Sequence, residues 1–86
     1  MALLLLRDLL NKIIWDFRED RQNYEVLFTH RGGEGDVKRI SMSDVVRVKR
    51  SWFVYLDSGS EQPIPLHRVL EVRYRRTGDV LWSKPR

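Results

Sequence analysis

Leu3, Leu6, Leu10, Ile13 and Ile14 recur at helical spacing, while Arg7, Asp8, Asn11 and Lys12 fill the opposite side. That spacing puts one apolar stripe toward a core and one polar face toward water. It predicts an amphipathic helix of about three turns, ending near Trp15–Asp16. The stretch Arg18 to Arg21 mixes both signs of charge and reads as a solvated loop.

Beyond Asn23 the period changes to two. Tyr24, Val26 and Phe28 alternate with Glu25, Leu27 and Thr29, predicting a strand that leads into His30. Further short strands are predicted at Val37 to Met42, Val45 to Val48 and Trp52 to Leu56. A final hairpin is predicted from Leu70 to Arg75 and Val80 to Ser83, around Thr77-Gly78-Asp79. Asp57-Ser58-Gly59-Ser60 has the composition of a tight turn. The expected class is α+β: an N-terminal helix packed on a bent, partly barrel-like antiparallel sheet of five or six short strands.

The chain also echoes itself. Ile40 to Val48 aligns without gaps on Ile64 to Val72, each reading Ile, any residue, a long apolar side chain, two polar positions, Val, apolar, charged, Val. The segment is too short to establish a duplication. It predicts that Ser43-Asp44 and His67-Arg68 occupy equivalent corners, each between a strand end and a new strand.

Eighty-six residues suffice for a single domain over 1–86, and 42% hydrophobic content is too high for a disordered chain. The lack of cysteine excludes a disulfide scaffold and fits a reducing compartment. The apolar run Ala2 to Leu6 is broken by Arg7 and Asp8, too early for a signal peptide or a membrane span. The expectation is a cytoplasmic protein with no membrane partner. Three tryptophans, three tyrosines and three phenylalanines supply most of the bulk, and Trp15, Trp52 and Trp82 are expected mainly in the core.

The formal net charge of +4 favours a polyanionic partner, nucleic acid first among them. Arg47/Lys49/Arg50, Arg73/Arg75/Arg76 and Lys84/Arg86 could guide a phosphate backbone, or could keep edge strands soluble.

Candidate chemistry concentrates in HRGGEGDVKR, His30 to Arg39. Gly32, Gly33 and Gly35 would let backbone N–H groups converge on an anion, with Arg31, Lys38 and Arg39 beside them. The plain alternative is a hairpin loop that uses glycine to reach positive φ. No Gly-Lys-Ser/Thr follows, so this is not a Walker loop. His-Arg returns as His67-Arg68; a guanidinium fork suits a phosphate and an imidazole can bond a ribose or phosphate oxygen. Arg31 and Arg68 could instead bridge to Glu34, Asp36, Asp44 or Glu71. His30 and His67 could also act as an acid–base pair on a phosphodiester. However, the His-x-Ser/Thr triplets of two-histidine phosphoesterases are missing. Two distant histidines without cysteine do not make a zinc site, and no cofactor is expected.

LRDLLNKIIWD, HRGGEGDVKRI, IPLHRVLEVRY and GDVLW together resemble a family of small, mainly archaeal proteins, the RNA cyclic-group end recognition domains. The family also occurs fused to larger RNA-processing proteins. The resemblance runs from Leu6 to Trp82 and implies recognition of RNA termini, particularly a 2′,3′-cyclic phosphate, in processing or repair. It carries that role onto His30, Arg31, Gly32, Gly35 and Asp36, and onto Pro65, His67 and Arg68. RNA termini are the implied partner, with RNA-processing enzymes as candidate associates.

Three functions follow. The first is a non-catalytic RNA-end module, the second a phosphodiesterase opening the cyclic phosphate with His30 and His67, and the third a protein-interaction domain. The missing triplets favour the first over the second, and the paired His-Arg corners favour it over the third.

Overall fold

The computed structural model describes residues 2–29 and 36–85. A helix, α1 (Ala2–Trp15), is followed by a 3-10 helix (Arg18–Asn23) and seven strands. These are β1 (Tyr24–Thr29), β2 (Val37–Ser41), β3 (Val45–Val48), β4 (Trp52–Asp57), β5 (Ser60–Pro65), β6 (Val69–Tyr74) and β7 (Asp79–Ser83). All pairings are antiparallel, in a four-stranded sheet ordered β2-β1-β6-β7 and a three-stranded sheet ordered β3-β4-β5. The α+β class is as expected. Among the described residues the sheets share no ladder, so the barrel does not close.

The chain changes sheet at two places. One three-residue 3-10 turn, Met42–Asp44, carries it from β2 to β3, and another, Leu66–Arg68, carries it back from β5 to β6. These are the two corners of the sequence echo. Corresponding side chains are buried in both copies: Ile40 with Ile64, Met42 with Leu66, Val45 with Val69. The long apolar residue that opens each turn plugs into the core, which leaves the two polar positions after it at the surface or half-buried.

The core lies where the sheets face each other. Phe28 of β1 meets Phe53 and Tyr55 of β4, at ring centroid distances of 5.9 and 5.7 Å. Leu6, Leu10 and Ile13 join the same cluster at 0% exposure, as the helical periodicity requires. The helix packs against the 3-10 helix, the second corner and β3. The Leu3 side chain lies outside the described set.

Three expectations need correction. The first is the strand count, which among the described residues is seven because Ser60–Pro65 is a strand. Its polar, two-proline sequence hides it, and its place at a sheet edge explains how it tolerates prolines that cannot complete a ladder. Ser58 and Gly59, both at positive φ, form the two-residue turn joining β4 to β5.

The second correction concerns tryptophan. Trp15 is 70% exposed and Trp52 42% exposed, and only Trp82 packs partly against the core. Trp15 stands off the Leu6/Leu10/Ile13 stripe, and Trp52 opens β4 one position before its buried run.

The third correction concerns Arg18 to Arg21. This stretch is not a free loop but part of a 3-10 helix. Arg21 donates from Nη2 to the carbonyls of Met42 (2.9 Å) and Val45, fastening the 3-10 helix to the first corner.

Candidate functional site

The four-stranded sheet has two unlike ends. At one end Thr29, the last residue of β1, pairs with Val37 of β2, and the register on the other side places Phe28 opposite Val69 of β6. Thr29 Oγ1 therefore reaches the carbonyl of Arg68, to which it donates at 3.5 Å. On the far side of β6, the backbone N–H of Lys84 bonds the Leu70 carbonyl at 2.8 Å. The Lys84 ammonium donates to the His67 carbonyl at 2.7 Å. Thr29, His67, Arg68 and Lys84 thus share one edge of the molecule.

This edge is donor-rich. The His67 imidazole is exposed and the Arg68 side chain half-buried. Among the described residues neither Arg68 nor Lys84 pairs with a carboxylate. The carbonyls of the turn are already engaged by Thr29 and Lys84, which holds the turn's backbone in place.

His30, Arg31, Gly32, Gly33 and Gly35 lie outside the described residues, as does Glu34. In sequence they connect Thr29 to Asp36 and Val37, both of which are described. Asp36 is exposed.

The remaining two candidates part company, because successive strand residues point to opposite faces. Lys38 lies opposite Phe28 on the core-facing side of β2. Its ammonium sits 5.4 Å above the Tyr55 ring and 3.3 Å from Asp57 Oδ2. Tyr55 first, then Asp57, raise its pKa above the ordinary lysine value. Arg39 points to the outer face, with its Nε 3.7 Å from Glu25 Oε2. There it lines a cleft of about 260 Å³ with Gln22, Glu25, Ile40, Ser41 and Arg75. That cleft lies toward the start of β1, away from Thr29. The structure therefore gathers Thr29, His67, Arg68 and Lys84, and leaves Arg39 elsewhere.

Two members of this edge were not candidates for the end site in the sequence. Thr29 carried no signal beyond its position before His30. In sequence Lys84 belongs only to a terminal basic cluster, since nothing local reveals that it follows β7 alongside the second corner.

Elsewhere, ion pairs sort the basic clusters. Arg47 forms a forked pair with Glu61, with both guanidinium nitrogens at 2.9–3.0 Å, and Arg73 pairs with Glu71 at 2.6 Å. Near the 3-10 helix, Phe17 stacks on Tyr24, Tyr24 packs edge-on to Tyr74, and the Tyr74 hydroxyl donates to Asp20. Burial, with Asp20 and Tyr74 adding to it, pushes the Tyr24 hydroxyl pKa up. Among the described residues there is no grouping of three or more His, Asp and Glu side chains able to hold a metal ion. No described helix is long and apolar enough to cross a membrane.

Residues 3–84 match the family described as the MJ1316 RNA cyclic group end recognition domain. The chain is similar to the UPF0248 protein MJ1316 of Methanocaldococcus jannaschii, with 40% identity over 84 residues, 98% of this chain and 99% of that one. A UPF0248 protein of Methanococcus vannielii is 30% identical over 80 residues, 93% of this chain and 92% of its own. One from Saccharolobus islandicus is 32% identical over 79 residues, 92% of this chain and 98% of its own. No solved structure is significantly similar.

Proposed function

The chain belongs to the MJ1316 RNA cyclic group end recognition domain family, and on that premise we propose that it binds RNA termini ending in a 2′,3′-cyclic phosphate. The whole chain acts as one recognition unit, without turning the end over, in RNA processing or repair. The observation that carries this reading is the bond between Thr29 and Arg68. It puts the residue before His30 against the second His-Arg motif, so two segments distant in sequence start from one edge.

In this reading His30, Arg31 and the glycines 32, 33 and 35 are assigned to contact the RNA end together with His67, Arg68 and Lys84. Arg68 offers a planar fork to the phosphate oxygens and Lys84 a point charge. Lys38 is held by Tyr55 and Asp57, while Arg39 remains with Glu25.

Charge alone would favour a linear phosphate, which carries up to two negative charges where the cyclic diester carries one. The preference for a cyclic end must then come from hydrogen-bond pattern. A linear 3′-phosphate brings a free 2′-OH that needs an acceptor, whereas a cyclic end presents acceptors only. An edge rich in guanidinium and ammonium donors suits an end that presents acceptors only.

The test compares matched RNAs ending in cyclic phosphate, linear phosphate or hydroxyl, measuring both binding and end conversion. Tightest binding to the unaltered cyclic end is the expected outcome. Equal affinity for all three ends rejects the proposal, and steady conversion of the cyclic end turns it into the phosphodiesterase reading.

A further inference from the structure

A second basic surface adjoins the second corner. Between α1 and the turn joining β3 to β4 runs an open groove of about 580 Å³, lined by Arg7, Asp8 and Asn11 on the helix, Val48 at the end of β3, and Lys49 and Arg50 on the turn. The turn is closed by the Lys49 N–H bonding the Trp52 carbonyl at 2.7 Å. It is fastened to the second corner by the Leu66 N–H, which donates to the Ser51 carbonyl at 2.9 Å. Trp52 pairs with Pro65, two residues before His67, and α1 itself packs on that corner.

We propose that this groove holds the sugar–phosphate backbone of the single-stranded RNA whose end is recognised at the Thr29–Arg68 edge; the proposal rests on the end-recognition reading above. Charge comes first. Among the described residues, Arg7, Lys49 and Arg50 have no carboxylate within ion-pair distance, whereas Arg39, Arg47 and Arg73 are each paired. An open cation gains a phosphate contact without giving up an existing partner. The acid in the groove, Asp8, offsets one of its three cations and leaves a positive balance.

Distance comes second. From Arg50 to His67 the path is two residues, one strand pairing and two more residues, a span of no more than about 20 Å. That is a reach of about four nucleotides, at the low end of single-strand sites. Shape comes third. The groove is open and shallow, which suits a flexible strand, and the exposed Trp52 beside it offers a face for a base. An RNA end held at the edge has an upstream strand to place, and this groove is the unpaired basic surface bonded to that edge.

The experiment uses the full chain and three RNAs: a dinucleotide and an octanucleotide with 2′,3′-cyclic phosphate ends, and the octanucleotide with a 3′-hydroxyl. Lys49→Ala/Arg50→Ala is compared with wild type, with Arg47→Ala as the control for a paired cation on the same sheet. The double variant is expected to bind the cyclic octanucleotide about tenfold more weakly and the dinucleotide within twofold of wild type. The slope of log affinity against log salt should fall by about 1.4, the value for two single-strand phosphate contacts. Equal losses on both lengths, or none on the octanucleotide, overturn the groove. Should wild type prefer cyclic ends while the double variant keeps full octanucleotide affinity, the groove fails and end recognition stands. Should both octanucleotides bind alike to wild type and both weaken in the variant, the groove stands and end recognition fails.

Discussion

Thr29 Oγ1 donates to the carbonyl of Arg68 at 3.5 Å, across a sequence separation of 39 residues. The bond is long for a hydroxyl and a carbonyl, so it adds little stability. Its meaning lies in what it joins: the end of β1, from which the chain continues to His30, and the turn bearing His67 and Arg68.

Replacing Thr29 with valine removes the donor and keeps the branched shape. Because the bond is exposed and long, stability should change by less than about 1 kcal/mol. Discrimination between cyclic and hydroxyl RNA ends should nonetheless fall, since the Arg68 backbone loses a restraint. Urea unfolding and a binding titration, run on the same variant, separate the two effects. A large loss of stability with discrimination unchanged would assign Thr29 to the fold alone.

The helix offers a sharper energetic test. Leu10 is fully buried among the residues between the sheets. Leu10→Ala should cost on the order of 2–5 kcal/mol through lost burial and the cavity left behind. In a chain this short that is a large share of the total. Leu5→Ala, 64% exposed on the same helix, should change the unfolding midpoint little.

Arg21 shows why some of the structure was hidden. Its two carbonyl acceptors, Met42 and Val45, lie in another part of the chain, and a run of mixed charges gives no sign of such a partner. Arg21→Ala would leave both carbonyls without this donor and should destabilise the chain by about 2–3 kcal/mol. Arg18→Ala, on an exposed side chain of the same 3-10 helix, is the matched comparison in thermal unfolding.

Legibility followed locality. Helix α1 and six of the strands were readable because each shows its own period, and the two corners were readable because their apolar positions repeat in the same order. The strand at Ser60–Pro65 was not, since only its edge position makes its prolines acceptable. For the site, the His-Arg motif at His67 stood out, but Lys84 could not be joined to it without the β6–β7 register. Lys38 and Arg39 looked like one unit in sequence, and the strand's alternation divides them.

The last prediction concerns Arg68, next to His67 in the chain, and Lys84, bonded to the His67 carbonyl. Arg68→Ala should remove preference for the cyclic end at a cost of about 1.5–3 kcal/mol in binding, as a charged hydrogen bond is lost. Arg68→Lys should recover charge without the fork, and so recover affinity for all ends more than preference among them. Lys84→Ala loses a charge and also the ammonium's bond to the His67 carbonyl, so it should weaken every end and loosen the turn. His67→Ala separates binding from chemistry. In a binding module it lowers affinity modestly and creates no difference in end conversion, because wild type converts nothing. Single-turnover conversion by wild type that disappears in His67→Ala would make His67 catalytic and the edge an active site.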